Sequence, residues 1–332
     1  GEGASPFARE WSEASGFPLL AEPASGAWSG GGVTPFEQTL VASSLGREVD
    51  AVVVTGRPTL SRPIQTLLAR PDVRVVVVDR HAPWVDVSGN ASAVVADLEP
   101  AREPIRAAQA EWAARVREAA RDAGERIESL LDSGSGRTML DLARIVAAST
   151  SGPLVLGASN PVRAFDLAVP TLAGRAVHSN RGQAGIDGTI ATAVGICLGS
   201  GCADEASVPT RERVTAVMGD LTACHDASSL ALAAAARAHL DILVADDGGG
   251  GIFATLEHGR ATSPEAYDRW FGLAQSVDYE ALAAAYGVAF ARAGEPRELE
   301  DLLDRPVRGP RLIHAPVERA EDLYRAIRDV LS

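Results

Sequence analysis

The sequence predicts an α/β protein made of two Rossmann-like parallel-sheet domains, residues 1–133 and 134–332. Three observations carry this expectation. Short β-branched or apolar runs alternate with helix-length stretches along the whole chain, the pattern of parallel α/β folds. The Gly/Ser stretch Asp132-Ser133-Gly134-Ser135-Gly136 reads as a linker between two such series. With 332 residues and 46% apolar composition, the chain is long enough to bury two substantial cores.

In the first domain the strand candidates are Phe17–Leu20, Ala51–Thr55, Val73–Asp79 and Ala93–Ala96. Helices are expected between them at Pro6–Ala14, Phe36–Ser44 and Ser61–Ala69. Gly56-Arg57-Pro58 follows a strand, but it is no GxGxxG, and the proline blocks a dinucleotide-type phosphate turn. The domain is therefore read as cofactor-free. Arg57 and Arg62 sit just past that strand, where a ligand anion could be met, although lone surface arginines are usually solvated. A long Ala/Glu/Arg helix from Pro104 to Leu131, charged on most faces, closes the domain.

The second domain has strand candidates at Leu154–Gly157, Val214–Met218, Leu240–Ala245 and Arg311–Ala315, with a closing helix at Ala320–Leu331. Gly199–Pro209, small and polar with acids, reads as a mobile loop.

Composition excludes several classes. A net charge of −13 argues against nucleic acid, because phosphate binding needs basic surface. No apolar stretch approaches the roughly 20 residues that span a bilayer, and no signal-peptide pattern opens the chain. The three cysteines, Cys197, Cys202 and Cys224, lack zinc-type pairing, so a reducing cytoplasm fits best. All 31 basic residues are arginine, which removes any Schiff-base or P-loop lysine. Anions must be held by arginine forks, backbone N–H groups or a metal. The chain opens on Gly1-Glu2-Gly3 without a methionine and reads as a fragment.

Chemistry concentrates at three strand ends of the second domain. The clearest runs from Gly219-Asp220-Leu221-Thr222 to Asp246-Asp247-Gly248-Gly249-Gly250-Gly251. An apolar strand delivers Asp220, an alanine-rich helix follows, and a second strand delivers Asp247 and the glycines. In a parallel sheet both strands end on the edge where open α/β folds bind ligands. Two oxygen-bearing side chains beside bare backbone suit a hard divalent cation bridging to a diphosphate. An Asp at a single strand end is commonly a cap or turn residue. A second Asp followed by a glycine run favours the functional reading.

The second strand end is Gly157-Ala158-Ser159-Asn160-Pro161-Val162-Arg163, which suits either an ordinary helix cap or a phosphate held on Ser159 and backbone donors. The third is His178-Ser179-Asn180-Arg181-Gly182 through Gly185-Ile186-Asp187-Gly188. Its glycines imply close backbone approach to something, and Arg181 is by type a bidentate anion binder, which favours a functional over a purely structural turn. His178 and His225 read as structural, because no carboxylate is placed beside them in the sequence.

These segments together resemble the diphosphate-binding domain of thiamine diphosphate enzymes. More narrowly, they are similar to the SEPHCHC synthase (MenD) family of menaquinone biosynthesis. The carriers are Ser159–Arg163, Ser179-Asn180-Arg181-Gly182 with Gly185–Gly188, Gly219–Thr222 and Gly249-Gly250-Gly251-Ile252-Phe253. Trp84–Asn90 also resembles the family's middle domain.

The resemblance implies that Asp220, Asp247 and the Gly249 carbonyl bind Mg²⁺, with Mn²⁺ an alternative. It implies that Ser159, Gly219, Leu221, Thr222, Gly250, Ile252 and Phe253 hold thiamine diphosphate. Ile186 would prop the cofactor in its bent shape, and Arg163 and Arg181 would face the substrates' carboxylates. Leu256 would line the pocket and Arg62 would reach the second substrate. Asp247 and Gly248 stand where the family often has Asn.

The implied reaction decarboxylates 2-oxoglutarate and adds the resulting carbanion to isochorismate in a 1,4 fashion, in a homodimer or tetramer. The family's N-terminal pyrimidine-binding domain carries an activating glutamate, and nothing here matches it. The chain alone is thus expected to be inactive. Two other readings stand beside this one: another thiamine diphosphate-dependent 2-oxo acid decarboxylase or synthase, and a noncatalytic two-domain binding module.

Overall fold

The computed structural model describes residues 7–28, 33–80, 84–97, 107–172, 174–181, 185–201, 212–254, 256, 259, 261–305 and 307–330. Two compact units emerge. One comprises Gly1–Leu130, Pro170–Gly174 and Arg325–Ser332; the other comprises Leu131–Val169 and Arg175–Tyr324. Both are parallel α/β units, as the alternation of strand and helix signals requires.

The first unit holds a three-stranded parallel sheet in the order β1 (Ala51–Thr55), β2 (Arg74–Val78), β3 (Ala91–Val95). Its core is aliphatic: Val54, Val73, Val75 and Val77 pack with Leu67 and Leu68 of a helix at Arg62–Leu68. That helix starts cleanly because Ser61 Oγ accepts from Ile64 N–H and Pro63 occupies the first turn. The buried Glu22 carboxylate accepts from the backbone N–H groups of Thr59, Leu60 and Ser61, at 3.2, 2.7 and 3.3 Å.

Two expectations need correcting here. Phe17–Leu20 is not a strand; it contributes only a parallel bridge from Leu19 to Val33. The helix expected at Phe36–Ser44 is two short helices, Glu37–Ala42 and Ser44–Arg47. Ser43 separates them in extended conformation and caps the second by accepting from Leu45 N–H at 3.2 Å. The long helix spans Ala107–Asp132, and Ala113, Val116, Ala120, Ala123, Ile127 and Leu131 form its buried stripe.

The second unit is built on a six-stranded, all-parallel sheet in the order β5-β4-β6-β7-β9-β8. The strands are β4 (Leu154–Leu156), β5 (Val177–His178), β6 (Val214–Gly219), β7 (Leu240–Asp246), β8 (Ala289–Arg292) and β9 (Arg311–Pro316). The central strands β6 and β7 are buried almost throughout, under a core that includes Ile190, Val194, Leu230 and Tyr279. The edge strands β5 and β8 have no counterpart in the sequence reading. One is two residues long, and the other is half-exposed and alanine-containing, so neither carries a strong apolar run. Gly199–Pro209 lies outside the described residues beyond Gly201.

Chain order explains where a ligand would sit. From β4 the chain moves outward to β5 and then returns to the other side of β4 as β6. The carboxyl ends of β4 and β6 therefore flank a topological switch point, the crevice where open α/β sheets bind ligands. The amino ends of the strands do a different job. Arg213, before β6, and Arg311, on β9, both bond Asp241 on β7, at 3.2 and 2.9 Å. All three side chains are buried, and Arg213 also donates to the carbonyls of Val307 and Gly309.

One carboxylate thus holds two buried guanidinium groups at the edge away from the switch point. Replacing Asp241 by Ala is expected to destabilise the protein by about 3–5 kcal/mol, since it leaves buried positive charge without a partner. Urea denaturation measures this, and an unchanged midpoint would mean that the triad is not structural.

Candidate functional site

Residues at the carboxyl ends of β4, β6 and β7 form the site. Met218 pairs with Val244 and Gly219 with Ala245, so the next residues, Asp220 and Asp246, stand at the same level. Asp220 opens a helix at Asp220–His225 and is only 4% exposed. Its Oδ1 accepts from Leu221 N–H at 2.7 Å, and the Gly249 N–H also bonds its carboxyl group. Its Oδ2 is buried with no hydrogen-bond partner. Burial, and then the charge of Asp246, push the Asp220 carboxyl above the usual range.

The sequence singles out two acids, and the structure brings three together. Asp246 accepts from His314 Nε2 at 2.9 Å and from Gly248 N–H at 3.0 Å; the histidine bond is the main reason it titrates below the usual range. Asp247 responds in the opposite direction. Burial first, and then the charge of Asp220, push it up to about 7. Crowded carboxylates with one orphaned buried oxygen are the donor set of a hard cation. Among the described residues no three Asp, Glu, His or Cys side chains form a ready cage. A cation here would complete its shell with backbone carbonyls and ligand oxygens, as Mg²⁺ commonly does. On donor chemistry, then, the residues fit an Mg²⁺-bridged diphosphate.

The glycine loop corrects one detail of the sequence reading. Gly248 and Gly249 have φ of 77° and 116°, conformations that side chains disfavour. A Cβ on Gly249 would strike the carbonyl of Gly272, one on Gly250 the carbonyl of Phe271, and one on Gly251 the Asp247 carboxylate. Gly250 N–H donates to Gly272 O at 2.6 Å, and Tyr267 Oη donates to Gly250 O at 2.8 Å. The missing side chains thus admit residues 271–273 of this chain, and the Gly250 backbone is already bonded to protein.

Around this centre, Ser159 precedes the helix Asn160–Ala168 without capping it, and Arg163 Nη1 donates to Ser159 O at 2.7 Å. Ser179 and Arg181 are buried, and Ser179 Oγ has no hydrogen-bond partner. Gly182–Ala184 lie outside the described residues. Ile186 is half-buried before the helix Thr189–Gly199. Contrary to the sequence reading, His225 does have a carboxylate beside it: its Nδ1 is 3.4 Å from Asp187.

Asp226, which carries no signal in the sequence, accepts from Ile190 and Ala191 N–H at 2.6 and 3.3 Å and so anchors the start of that helix. Leu221 is half-buried and Thr222 buried on the Asp220 helix. Ile252, Phe253 and Leu256 are half-buried beyond the glycines, with the Phe253 ring 5.8 Å from that of Phe271. Arg62 lies exposed in the first unit.

Residues 164–315 match the family model for the C-terminal TPP-binding domain of thiamine pyrophosphate enzymes. The chain is 39% identical over 341 residues to the 2-succinyl-5-enolpyruvyl-6-hydroxy-3-cyclohexene-1-carboxylate (SEPHCHC) synthase of Nocardioides sp., covering 99% of this chain and 62% of that protein. The synthase of the same name from Kineococcus radiotolerans is 40% identical over 94% of this chain and 55% of its own length. That from Renibacterium salmoninarum is 36% identical over 100% of this chain and 59% of its own length. The chain spans 55–62% of the length of these relatives. The resemblance read from the motifs is borne out.

Because Asp247 titrates at about 7 in the folded protein and near 3.8 when unperturbed, the folded state retains a proton that the unfolded state releases between those values. Its contribution to stability therefore falls as pH rises through that window. In metal-free buffer Asp247→Asn is expected to be more stable than the parent at pH 8 and to converge with it near pH 4. Parallel pH profiles of the two proteins would contradict this.

Proposed function

We propose that this chain, a relative of the SEPHCHC synthases over its whole length, is the diphosphate- and metal-binding part of a thiamine diphosphate-dependent synthase. The observation that carries the proposal is Asp220. It is buried at the sheet's switch point with one oxygen unpartnered, level with Asp246-Asp247 and the glycine loop.

In this reading Asp220, Asp247 and the Gly249 carbonyl hold Mg²⁺, and Mn²⁺ can replace it. Ser159, Gly219, Leu221, Thr222 and Gly250 lie along the diphosphate, with Ile252 and Phe253 beyond it. Using the Gly250 N–H requires Gly272 O, which now accepts it, to let go. Ile186 supports the cofactor's shape.

Thiamine diphosphate, when bound, supplies the nucleophilic carbon and electron sink for decarboxylating a 2-oxo acid. The chain's own residues bind and orient. Arg163 and Arg181 suit substrates with several carboxylates, such as 2-oxoglutarate and isochorismate. Fixed guanidinium groups orient the 1,4-addition and stabilise the charge that develops in it. Leu256 lines the pocket and helps to exclude water. The activity is proposed for the whole protein, as a cytoplasmic homodimer or tetramer; this chain alone is expected to bind the cofactor weakly and not to turn over.

Calorimetry with thiamine diphosphate and Mg²⁺ tests the binding half. Heat is expected with the parent chain, and its affinity is expected to drop by on the order of 100-fold in Asp220→Ala, given the sensitivity of metal sites to their ligand sets. No heat in either protein would favour a noncatalytic module. For the reaction, the whole protein is given 2-oxoglutarate with and without isochorismate. A product that forms only by joining the two supports the synthase, and simple decarboxylation unaffected by isochorismate would identify a different enzyme.

A further inference from the structure

The turn between Asp246 and Gly249 is held from outside by the end of β9. Three consecutive carbonyls of that turn are bonded by one short segment. Val317 N–H donates to Asp246 O at 2.8 Å, Arg319 Nε to Asp247 O at 3.1 Å, and Arg319 Nη2 to Gly248 O at 3.4 Å. The Asp246 carboxylate is held from the same strand, by His314 Nε2. His314 pairs in register with Val244, two residues before Asp246, so its ring lies on the face that carries Asp246. Tyr279 packs against that ring with centroids 4.7 Å apart, which fixes its plane. An ionised carboxylate only accepts, so Nε2 is the donor and the ring is committed to Asp246.

We infer that His314 and Arg319 are positioning residues for the cation: by fixing the Asp246 carboxylate and the Asp247 and Gly248 carbonyls they set the turn from which Asp247 and the glycine loop reach the cation beside Asp220. This rests on reading the edge as a cation site. The physical problem they solve is register. Asp246 and Asp247 are adjacent and chemically identical, and Asp246 is the one level with Asp220. Without an outside hold, either could turn to the metal. Residues that orient metal ligands in this way typically change affinity 10–100-fold when removed.

The test is a Mn²⁺ titration of the full chain, with and without thiamine diphosphate, following the free-ion signal by electron paramagnetic resonance. His314→Ala and Arg319→Met are each expected to weaken Mn²⁺ binding by about 10–100-fold. His314→Gln, which keeps a donor near the Nε2 position, is expected to recover most of the loss. Arg319 is a surface residue, so Arg319→Met should keep the parent's thermal midpoint and remains informative if His314→Ala unfolds. Variants that bind Mn²⁺ like the parent would overturn the inference and leave the cation site standing. A parent that binds no Mn²⁺ at all would remove the cation site itself, and this inference with it.

Discussion

The site depends on strand register. β6 and β7 are paired in parallel so that Gly219 meets Ala245, and their chains leave the sheet together at Asp220 and Asp246. A slip of one strand by one residue would turn its acid to the face opposite the other's. That register is secured by burial. Val214, Ala216, Val217 and Met218 on one strand, and Leu240, Ile242, Leu243 and Val244 on the other, are inaccessible to solvent. The reversal of strand order beside β4 then opens a crevice at those ends. The core thus aims the chemistry, and the loops supply it.

Gathering three carboxylates in one crevice is unfavourable unless something offsets their charge. The protein offsets it in part: His314 bonds Asp246, and Asp220 receives the N–H groups of Leu221 and Gly249. Asp247 is left to burial and to its neighbours' charge, with Arg319 the cation acting on it, and it rises to about 7. A divalent cation would relieve the remainder. The same glycines that permit the turn's positive φ let residues 271–273 pack against it, so the loop is ordered by its own chain.

Much of this was legible in the residues. Uninterrupted apolar runs marked the central strands, and an acid at the end of each of two such strands marked the ligand edge. Edge strands β5 and β8 were hidden because half-exposed pairs need no apolar run. Asp246 was hidden by its twin: only the pairing of Gly219 with Ala245 reveals which of two adjacent acids stands level with Asp220. His314 was beyond reach, since its partner lies 68 residues away and a lone histidine on a strand carries no signal of its own. The glycine run reads in the sequence as bare backbone for a diphosphate, whereas the Gly250 N–H is bonded to Gly272 O of the chain itself. Ser43 broke a helix for a local reason, a side chain that caps better than it propagates.

The most direct measurement is a crystal structure of the chain soaked with Mn²⁺ and thiamine diphosphate, with the ion located by its anomalous signal. One peak is expected, bonded to a carboxylate oxygen of Asp220, a carboxylate oxygen of Asp247 and the Gly249 carbonyl, while Asp246 stays on His314. A peak shared by Asp220 and Asp246, or none at this edge, would contradict it.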